Sequence, residues 1–408
     1  MAAAPAGNPP MRVGIVGGGI GGLVAALSLH YHCGSQVSID IYEQACEYKE
    51  IGAGVGIGVN AVKLLDKIGL GRQVMDISGD RSGVWISFRR YDNDAEIITV
   101  PTGAKSKVQQ CSVHRADFLE VLLTAIKERK AAQLWTNKQC RAVSDINGKV
   151  LLHFADHTTS TADFVIGCDG IHSTIRSQYI VDKPQYRGRI AYRGLVPIDS
   201  LKGWWPFPTY STLNVVAFVT EDQTTLGGVK ESWAATGDRQ ELASNFSDFS
   251  QTVRLVIGQM SAQPTKWPLN DREQIDQWTF AGGKLVLLGD AAHAMLPHQG
   301  AGAGQSIEDG YILGRAIQDY LRQGPGRLSL AAYTHLYQQV RLPRVQRAQE
   351  TARQAGQVYE MQADEMVGKS YDDCLPIVRE QLKDRMKWIW LEDLDDVYGR
   401  ARSLLLEV

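Results

Sequence analysis

The run Val13-Gly14-Ile15-Val16, followed by Gly17-x-Gly19-x-x-Gly22 and then by Leu23-Val24-Ala25-Ala26-Leu27-Ser28-Leu29, constrains this chain more than any other stretch. A short apolar strand, a glycine turn and a good helix former, in that order, make a dinucleotide-binding corner. Gly17 permits the tight turn, Gly19 lets a pyrophosphate approach the backbone, and Gly22 lets the helix close on the sheet. The helix N-terminus then offers N–H groups and a positive dipole end to the phosphates. A second apolar run, Val37 to Tyr42, ends at Glu43. That is about 20 residues past the glycines, where a carboxylate hydrogen-bonds a ribose hydroxyl. The glycine motif alone is weak; with both strands, the helix and Glu43 it specifies a dinucleotide site.

Two blander readings of the stretch fail. Val13 to Leu29 is uncharged, but its 17 residues include six glycines, at the short limit for a membrane span. Arg12 and His30 bracket it without the charge asymmetry of an inserted helix. A merely structural glycine turn leaves Glu43 without a purpose.

With 408 residues the chain has room for two domains or one large one. Its net charge of −2 carries no footprint for nucleic acid. The six cysteines contain no C-x-x-C pair, which fits reduced thiols and a cytoplasmic location. Residues 1–10 are small, Pro-rich and uncharged, and read as a disordered tail rather than a signal peptide. His30, His32 and Cys33 gather at the end of the first helix without the spacing of a ligand set. They read as a solvated helix end, and no metal site is expected.

Beyond Glu43, glycines alternate at Gly52, Gly54, Gly56 and Gly58. They forbid a stable helix and let the backbone, Gly56 included, lie against a flat ligand. Ala61 to Ile68 predicts an amphipathic helix closed by Gly69, and Val84 to Arg90 with Glu96 to Val100 predicts a hairpin outside the first sheet. Ser112 opens a helix running to about Lys130 with Arg115 in its first turn. A cation there opposes the helix dipole, which suggests an anion to hold, against the alternative of a solvated arginine. The strand Ala162 to Ile166 ends in Gly167-Cys168-Asp169-Gly170, another cofactor-type corner, although Asp169 reads equally as a turn residue. From Tyr186 to Thr279 short β-type runs (Ile190 to Val196, Leu213 to Val219) alternate with polar loops, five tryptophans appear, and Ser232 to Met260 reads as helical pieces. This predicts a second, inserted domain. Lys284 to Leu288 returns as a buried strand into Gly289-Asp290, a glycine-rich loop and a long helix, Ser306 to Leu321. The remainder is mostly helical, punctuated by Pro343 and Pro376.

Three separated corners, Gly17-x-Gly19-x-x-Gly22, Asp169-Gly170 and Gly289-Asp290, in this order and spacing resemble the class A flavoprotein aromatic hydroxylases, which hold one FAD and use NADH or NADPH and oxygen. The resemblance runs from Val13 to about Arg402 and is strongest to the salicylate hydroxylases. It is carried by the loop from Gly289 to Gln305, by Ser112 to Phe118, by Ala191-Tyr192-Arg193-Gly194, by Asn214 to Phe218, and by the tail around Trp388-Ile389-Trp390 and Asp393-Leu394-Asp395. It implies an α/β fold. A three-layer, Rossmann-like FAD-binding domain comprises residues 11–80, 111–185 and 280–330. An inserted α+β substrate domain comprises 81–110 and 186–279, and C-terminal helices follow over 331–408.

The same resemblance implies site roles. Glu43 binds the adenosine ribose, Arg115 the pyrophosphate side and Asp290 the ribityl chain, while Gly302 and Ala303 lie near the isoalloxazine. Asp169 shapes a groove shared by FAD and NAD(P)H. The helix N-terminus beyond Gly304 suits the negative charge of reduced flavin. His298 is the candidate for handling a phenolic proton; its alternative is a loop histidine bonded to backbone. Arg193 is the candidate for a substrate carboxylate or phenolate, against an ion pair inside the sheet, and His293 is expected to be structural. The implied reaction is decarboxylative hydroxylation of salicylate to catechol; relatives of the same fold hydroxylate 3-hydroxybenzoate or polyketide phenols. A monomer or homodimer with no membrane partner is expected.

The chain departs from the family between Gly194 and Leu213, where relatives carry several dozen more residues. A shortened substrate domain with unpaired strand edges is expected, and with it an alternative function: an FAD-binding protein whose hydroxylase activity is uncoupled or lost.

Overall fold

The structure is a computed structural model that describes residues 9–48, 54–79, 83–101, 110–201, 212–222, 236–323 and 328–407. Its central sheet has six strands in the order Thr279–Phe280, Leu285–Leu287, Phe164–Gly167, Met11–Val16, Val37–Tyr42 and Gln133–Trp135. Neighbours pair in parallel except at the first edge, where Thr279–Phe280 runs antiparallel. Strands such as Phe164-Val165-Ile166 are apolar throughout and fully buried, because both faces of the sheet are covered.

Alternation along the first strand sorts the two faces. On one side, a Cβ on Gly14 would touch Leu152 and Ala162 of an antiparallel three-stranded sheet formed by Cys140–Ile146, Lys149–Phe154 and Thr159–Ala162. On the other side lie the helices Ile20–Cys33 and Gly302–Arg322. These helices approach so closely that a Cβ on Gly310 would stand 3.0 Å from the Ala25 nitrogen. The result is three layers, as the resemblance implies. The uncharged stretch from Val13 forms a strand and a helix of this core; no helix among the described residues is long and apolar enough to cross a membrane.

The strand Gln185–Pro197 is the middle of a second antiparallel sheet, between Thr212–Thr220 and Thr265–Asp271. Ile190, Tyr192 and Val196 face the short helices Arg239–Asn245 and Gln251–Gly258. Ala191 packs on the other side with Trp267, Leu269, Phe218 and Leu296, so Arg193 shares that face by the two-residue period. Pro197 pairs with Thr212, which makes the short segment between them a link between strand neighbours. The hairpin Val84–Arg89 with Glu96–Pro101 packs Ile97 and Val100 on the helix Tyr371–Lys383.

Four expectations need correction. Ser112 and His114 lie in a strand, Cys111–His114, not in a helix opening; pairing with Gly54–Ile57 claims their backbone, and the helix begins at Arg115. The long helix starts at Gly302 rather than Ser306. Pro343 and Pro376 lie inside the helices Leu330–Tyr359 and Tyr371–Lys383. Buried faces on both sides of each proline, such as Val340 and Val345, hold the helix through it. The end of the first helix is not solvated: Cys33 is buried, and His32 packs edge-on against Tyr311, its centroid 5.2 Å away. Residues 1–8, 49–53 and 202–211, together with Trp233, fall outside the described residues, so part of the tail, of the glycine run and of the shortened segment does too.

Candidate active site

The dinucleotide corner forms where the first strand meets its helix. Gly17 has φ of 106°, and a Cβ there would overlap the Cys168 carbonyl; a Cβ on Gly22 would overlap the Gly17 carbonyl. Among the described residues nothing lies within 4 Å of a Cβ position on Gly19, which leaves the approach expected for a pyrophosphate. Glu43 Oε2 accepts the Gly18 N–H at 2.8 Å and Oε1 accepts the Ala45 N–H at 2.8 Å. The carboxylate therefore ties the turn to the second strand, and each oxygen keeps a lone pair for a ribose hydroxyl.

Asp169 accepts from the Ser173 hydroxyl at 2.5 Å and from the Thr174 and Ile175 N–H groups at 2.7 and 3.2 Å. Its observed contacts are those of a corner residue that caps the helix Thr174–Tyr179. Arg115 is not a solvated arginine: burial lowers its pKa, and the opposing charge that it feels is that of Asp290. Asp290 is exposed at the start of the short helix Asp290–His293. Two residues far apart in sequence thus feel each other's charge.

A cavity of about 200 Å³ lies between the end of the glycine strand (Gly56, Gly58), Asn60 of the following helix, the loop His298 to Ala301 and the aromatic pair Trp85 and Trp390. Space around Gly56 is open, with nothing within 4 Å of a Cβ position. Ala301 is the N-cap of the helix Gly302–Arg322 without a side-chain cap, and its first backbone bond is from Gln305 N–H to Ala301. The first-turn N–H groups, including those of Gly302 and Ala303, are left for a ligand. Gln299 Nε2, Gln305 Nε2 and Trp390 Nε1 are buried without a hydrogen-bond partner among the described residues, and all three residues line the cavity. A carboxylate for ribose, a helix N-terminus for phosphate, a flat glycine strand and unpartnered donors around a flat cavity fit FAD.

His298 is buried in the cavity wall, and neither ring nitrogen has a partner among the described residues. The backbone-bonded alternative does not hold. Its ring centroid is 4.9 Å from that of Phe218. Burial first, and the Arg189 charge second, bring its pKa down to about 4. His293 differs: its Nε2 stands 2.6 Å from Asp309 Oδ2, which also accepts the Gly289 N–H at 3.1 Å. That pairing has the structural character expected of it.

Arg193 makes no ion pair among the described residues. Its guanidinium carbon stands 4.5 Å from the centre of the Trp267 ring, and its Nε is buried without a partner. Burial and then the Arg115 charge pull its pKa down to about 10. Of the candidate residues, Gly56 and His298 line one cavity, Glu43 bonds the glycine turn, and Arg115 feels the charge of Asp290. Asn60, Gln299, Gln305, Trp85 and Trp390 were missed. Only the acidic pair Glu308-Asp309 inside an apolar helix, with Arg341 and Arg344 three residues apart, signalled that something buried needed holding.

Comparison with known proteins places this geometry. The family model described as FAD binding domain matches residues 10–352. A salicylate hydroxylase of Pseudomonas putida is 33% identical over 436 aligned positions, covering 97% of this chain and 95% of the relative. A 6-methylsalicylate 1-monooxygenase of Aspergillus terreus is 31% identical, covering 98% and 93%. A solved salicylate hydroxylase substrate complex superposes with a TM-score of 0.80 at 28% identity, covering 96% of this chain and 98% of that one. The first alignment is 436 positions long, whereas 97% of 408 residues is about 396, so about 40 positions have no counterpart in this chain.

Proposed function

Because the chain belongs to the FAD binding domain family, as an FAD-dependent aromatic monooxygenase, we propose that it hydroxylates a small phenolic acid, with salicylate converted to catechol as the best reading. The observation that carries this is the pairing of two unsatisfied groups beside one apolar floor. Phe218 packs with Trp267; His298 lies against Phe218, and Arg193 stacks on Trp267. An imidazole without a hydrogen-bond partner and a guanidinium without a counter-ion among the described residues suit a ligand with a phenol and a carboxylate.

Bound FAD supplies two-electron reduction by NAD(P)H and activation of oxygen. The protein does the rest. Neutral His298 accepts the phenolic proton on a ring nitrogen, which makes the ring electron-rich. Arg193 holds the carboxylate and so sets which carbon is presented. Phe218, Trp85 and Trp390 keep water from the reacting face. One carbon–oxygen bond forms at the carboxylate-bearing carbon and the bond to the carboxylate breaks. Carbon dioxide leaves, the second oxygen atom leaves as water, and NAD(P)H supplies both electrons.

The 6-methylsalicylate relative favours a second reading of the same chemistry on a substituted polyketide phenol. The roughly 40 absent positions favour a third, in which the cofactor site persists and hydroxylation is uncoupled. One experiment separates them: NADH and NADPH oxidation by FAD-loaded protein with salicylate, 6-methylsalicylate or 3-hydroxybenzoate, with aromatic product and hydrogen peroxide measured together. Catechol in step with NAD(P)H supports the first reading, and product from another phenol supports the second. Stimulated oxidation that yields only peroxide supports the third.

A further inference from the structure

Asn60 is the second residue of the helix Val59–Lys67, which follows the glycine strand, and lines the cavity. Its Nδ2 donates to Glu308 Oε1 at 2.5 Å. Glu308 has no solvent exposure, and its two oxygens also accept from Arg341 Nη1 at 2.5 Å, Arg344 Nε at 2.8 Å and Arg344 Nη2 at 2.8 Å. Burial opposes its ionisation, but Arg341 and Arg344 outweigh burial and hold the carboxyl below the usual range. An ionised carboxylate only accepts hydrogen bonds. Asn60 is therefore bound to turn its NH₂ toward Glu308. Its carbonyl oxygen lies beside Gly58, where a Cβ would be 2.6 Å away.

Gln305 is oriented by the same arginine. Its Oε1 accepts from Arg341 Nη2 at 2.7 Å, and its Nε2 is buried without a partner among the described residues, in a residue that lines the cavity. The cavity lining thus holds one amide whose carbonyl is left free of its fixed partner and another whose NH₂ is, and neither amide is able to flip without setting two donors or two acceptors face to face. The pyrimidine edge of an isoalloxazine has the complementary pattern, an N–H between two carbonyls.

We propose that Asn60 and Gln305 bind this edge, Asn60 Oδ1 accepting the flavin N3–H and Gln305 Nε2 donating to an adjoining carbonyl, and that Glu308, Arg341 and Arg344 are positioning residues that fix which end of each amide faces the ring. The proposal rests on FAD binding and not on the phenolic substrate, so it stands or falls separately from the choice of phenol.

The test titrates apoprotein with FAD and with 3-methyl-FAD, in which a methyl group replaces the N3 hydrogen, and reads flavin fluorescence quenching. The wild-type protein binds FAD at least about fivefold more tightly, the scale of one hydrogen bond. Asn60→Leu keeps the heavy-atom branching and removes the acceptor; it weakens FAD by that factor and leaves 3-methyl-FAD unchanged. Glu308→Gln removes the charge at constant volume and gives the same selective loss, because the Asn60 amide is then free to turn. Equal binding of both flavins by the wild type overturns the proposal. So does an unchanged FAD affinity in Asn60→Leu, or a parallel weakening of both flavins in the two variants, which marks a purely structural role.

Discussion

The imidazole of His298 occupies the place where Gly356 would carry a side chain: a Cβ on Gly356 would stand 3.0 Å from the ring Cε1 and 3.1 Å from both ring nitrogens. Gly356 belongs to the helix Leu330–Tyr359, where glycine costs up to about 1 kcal/mol relative to alanine. Gly356→Ala therefore pushes the ring toward the cavity without weakening the helix. The expected outcome is a melting temperature equal to or above that of the wild type, together with loss of about tenfold or more in phenol-dependent NAD(P)H oxidation. Thermal denaturation and steady-state kinetics on the same preparation check it. A melting temperature that falls together with activity assigns Gly356 to packing alone.

The depressed pKa of His298 also gives a stability prediction. An unfolded histidine titrates near 6.5, and this one near 4 when folded. Between those values the unfolded chain binds more protons, so stability rises with pH. The contribution is complete above about pH 6.5 and is lost as pH falls toward 4. It amounts to roughly 3 kcal/mol at most, at about 1.4 kcal/mol per unit. His32, brought to about 4 by burial and the Arg315 charge, adds a second step in the same window. Urea unfolding between pH 4.5 and 7.5 should show a steep wild-type slope and a shallower one for His298→Gln. Identical slopes in the two proteins would remove the buried neutral ring from the account.

Arg341 tests the buried charges themselves. It joins Glu308 to Asp309, accepted by Glu308 at 2.5 Å and by Asp309 at 2.8 Å, with all three residues free of solvent. Arg341→Met leaves two carboxylates short of a counter-charge, at a cost of about 3–5 kcal/mol. A urea midpoint within about 0.2 M of wild type, well inside the shift such a loss implies at ordinary m-values, refutes that assignment.

The fold and the cofactor corners were legible because they are local. A strand, a glycine turn and a helix specify one another over short distances, and Glu43 needs only the next strand to have meaning. Asp169 and Gly289-Asp290 follow the same logic. The cavity was not legible, because its chemistry is assembled from distant elements. Asn60 reads as an ordinary helix start until Glu308 is brought to it by the packing of Gly302–Arg322 and Leu330–Tyr359. Trp85 and Trp390 meet at 5.7 Å only because the C-terminal helices fold back over the hairpin. Pro343 misled for the complementary reason: propensity is weak beside the packing of a thirty-residue helix. His32 and Cys33 misled because the partner that buries them lies on another helix.

Arg193 decides between a substrate ligand and a structural residue. The side chain is half-buried, its pKa pulled to about 10 by burial and then by the Arg115 charge, so it remains a cation at neutral pH without a counter-ion among the described residues. Such a group costs stability in the empty protein. Arg193→Gln removes that cost, and the melting temperature should hold or rise. Charge-assisted hydrogen bonds to a carboxylate contribute about 1.5–3 kcal/mol, which converts to roughly 10- to 100-fold in affinity. The KM for salicylate should rise by that factor in Arg193→Gln, while that for a phenol without a carboxylate should change less than about twofold. Arg193→Lys keeps the charge but loses the planar fork, and should recover only part of the salicylate affinity. Steady-state kinetics on both phenols, with melting curves for each variant, checks these three statements together. A uniform rise in KM for both phenols, with a lowered melting temperature, would place Arg193 in the sheet's own support rather than at the substrate.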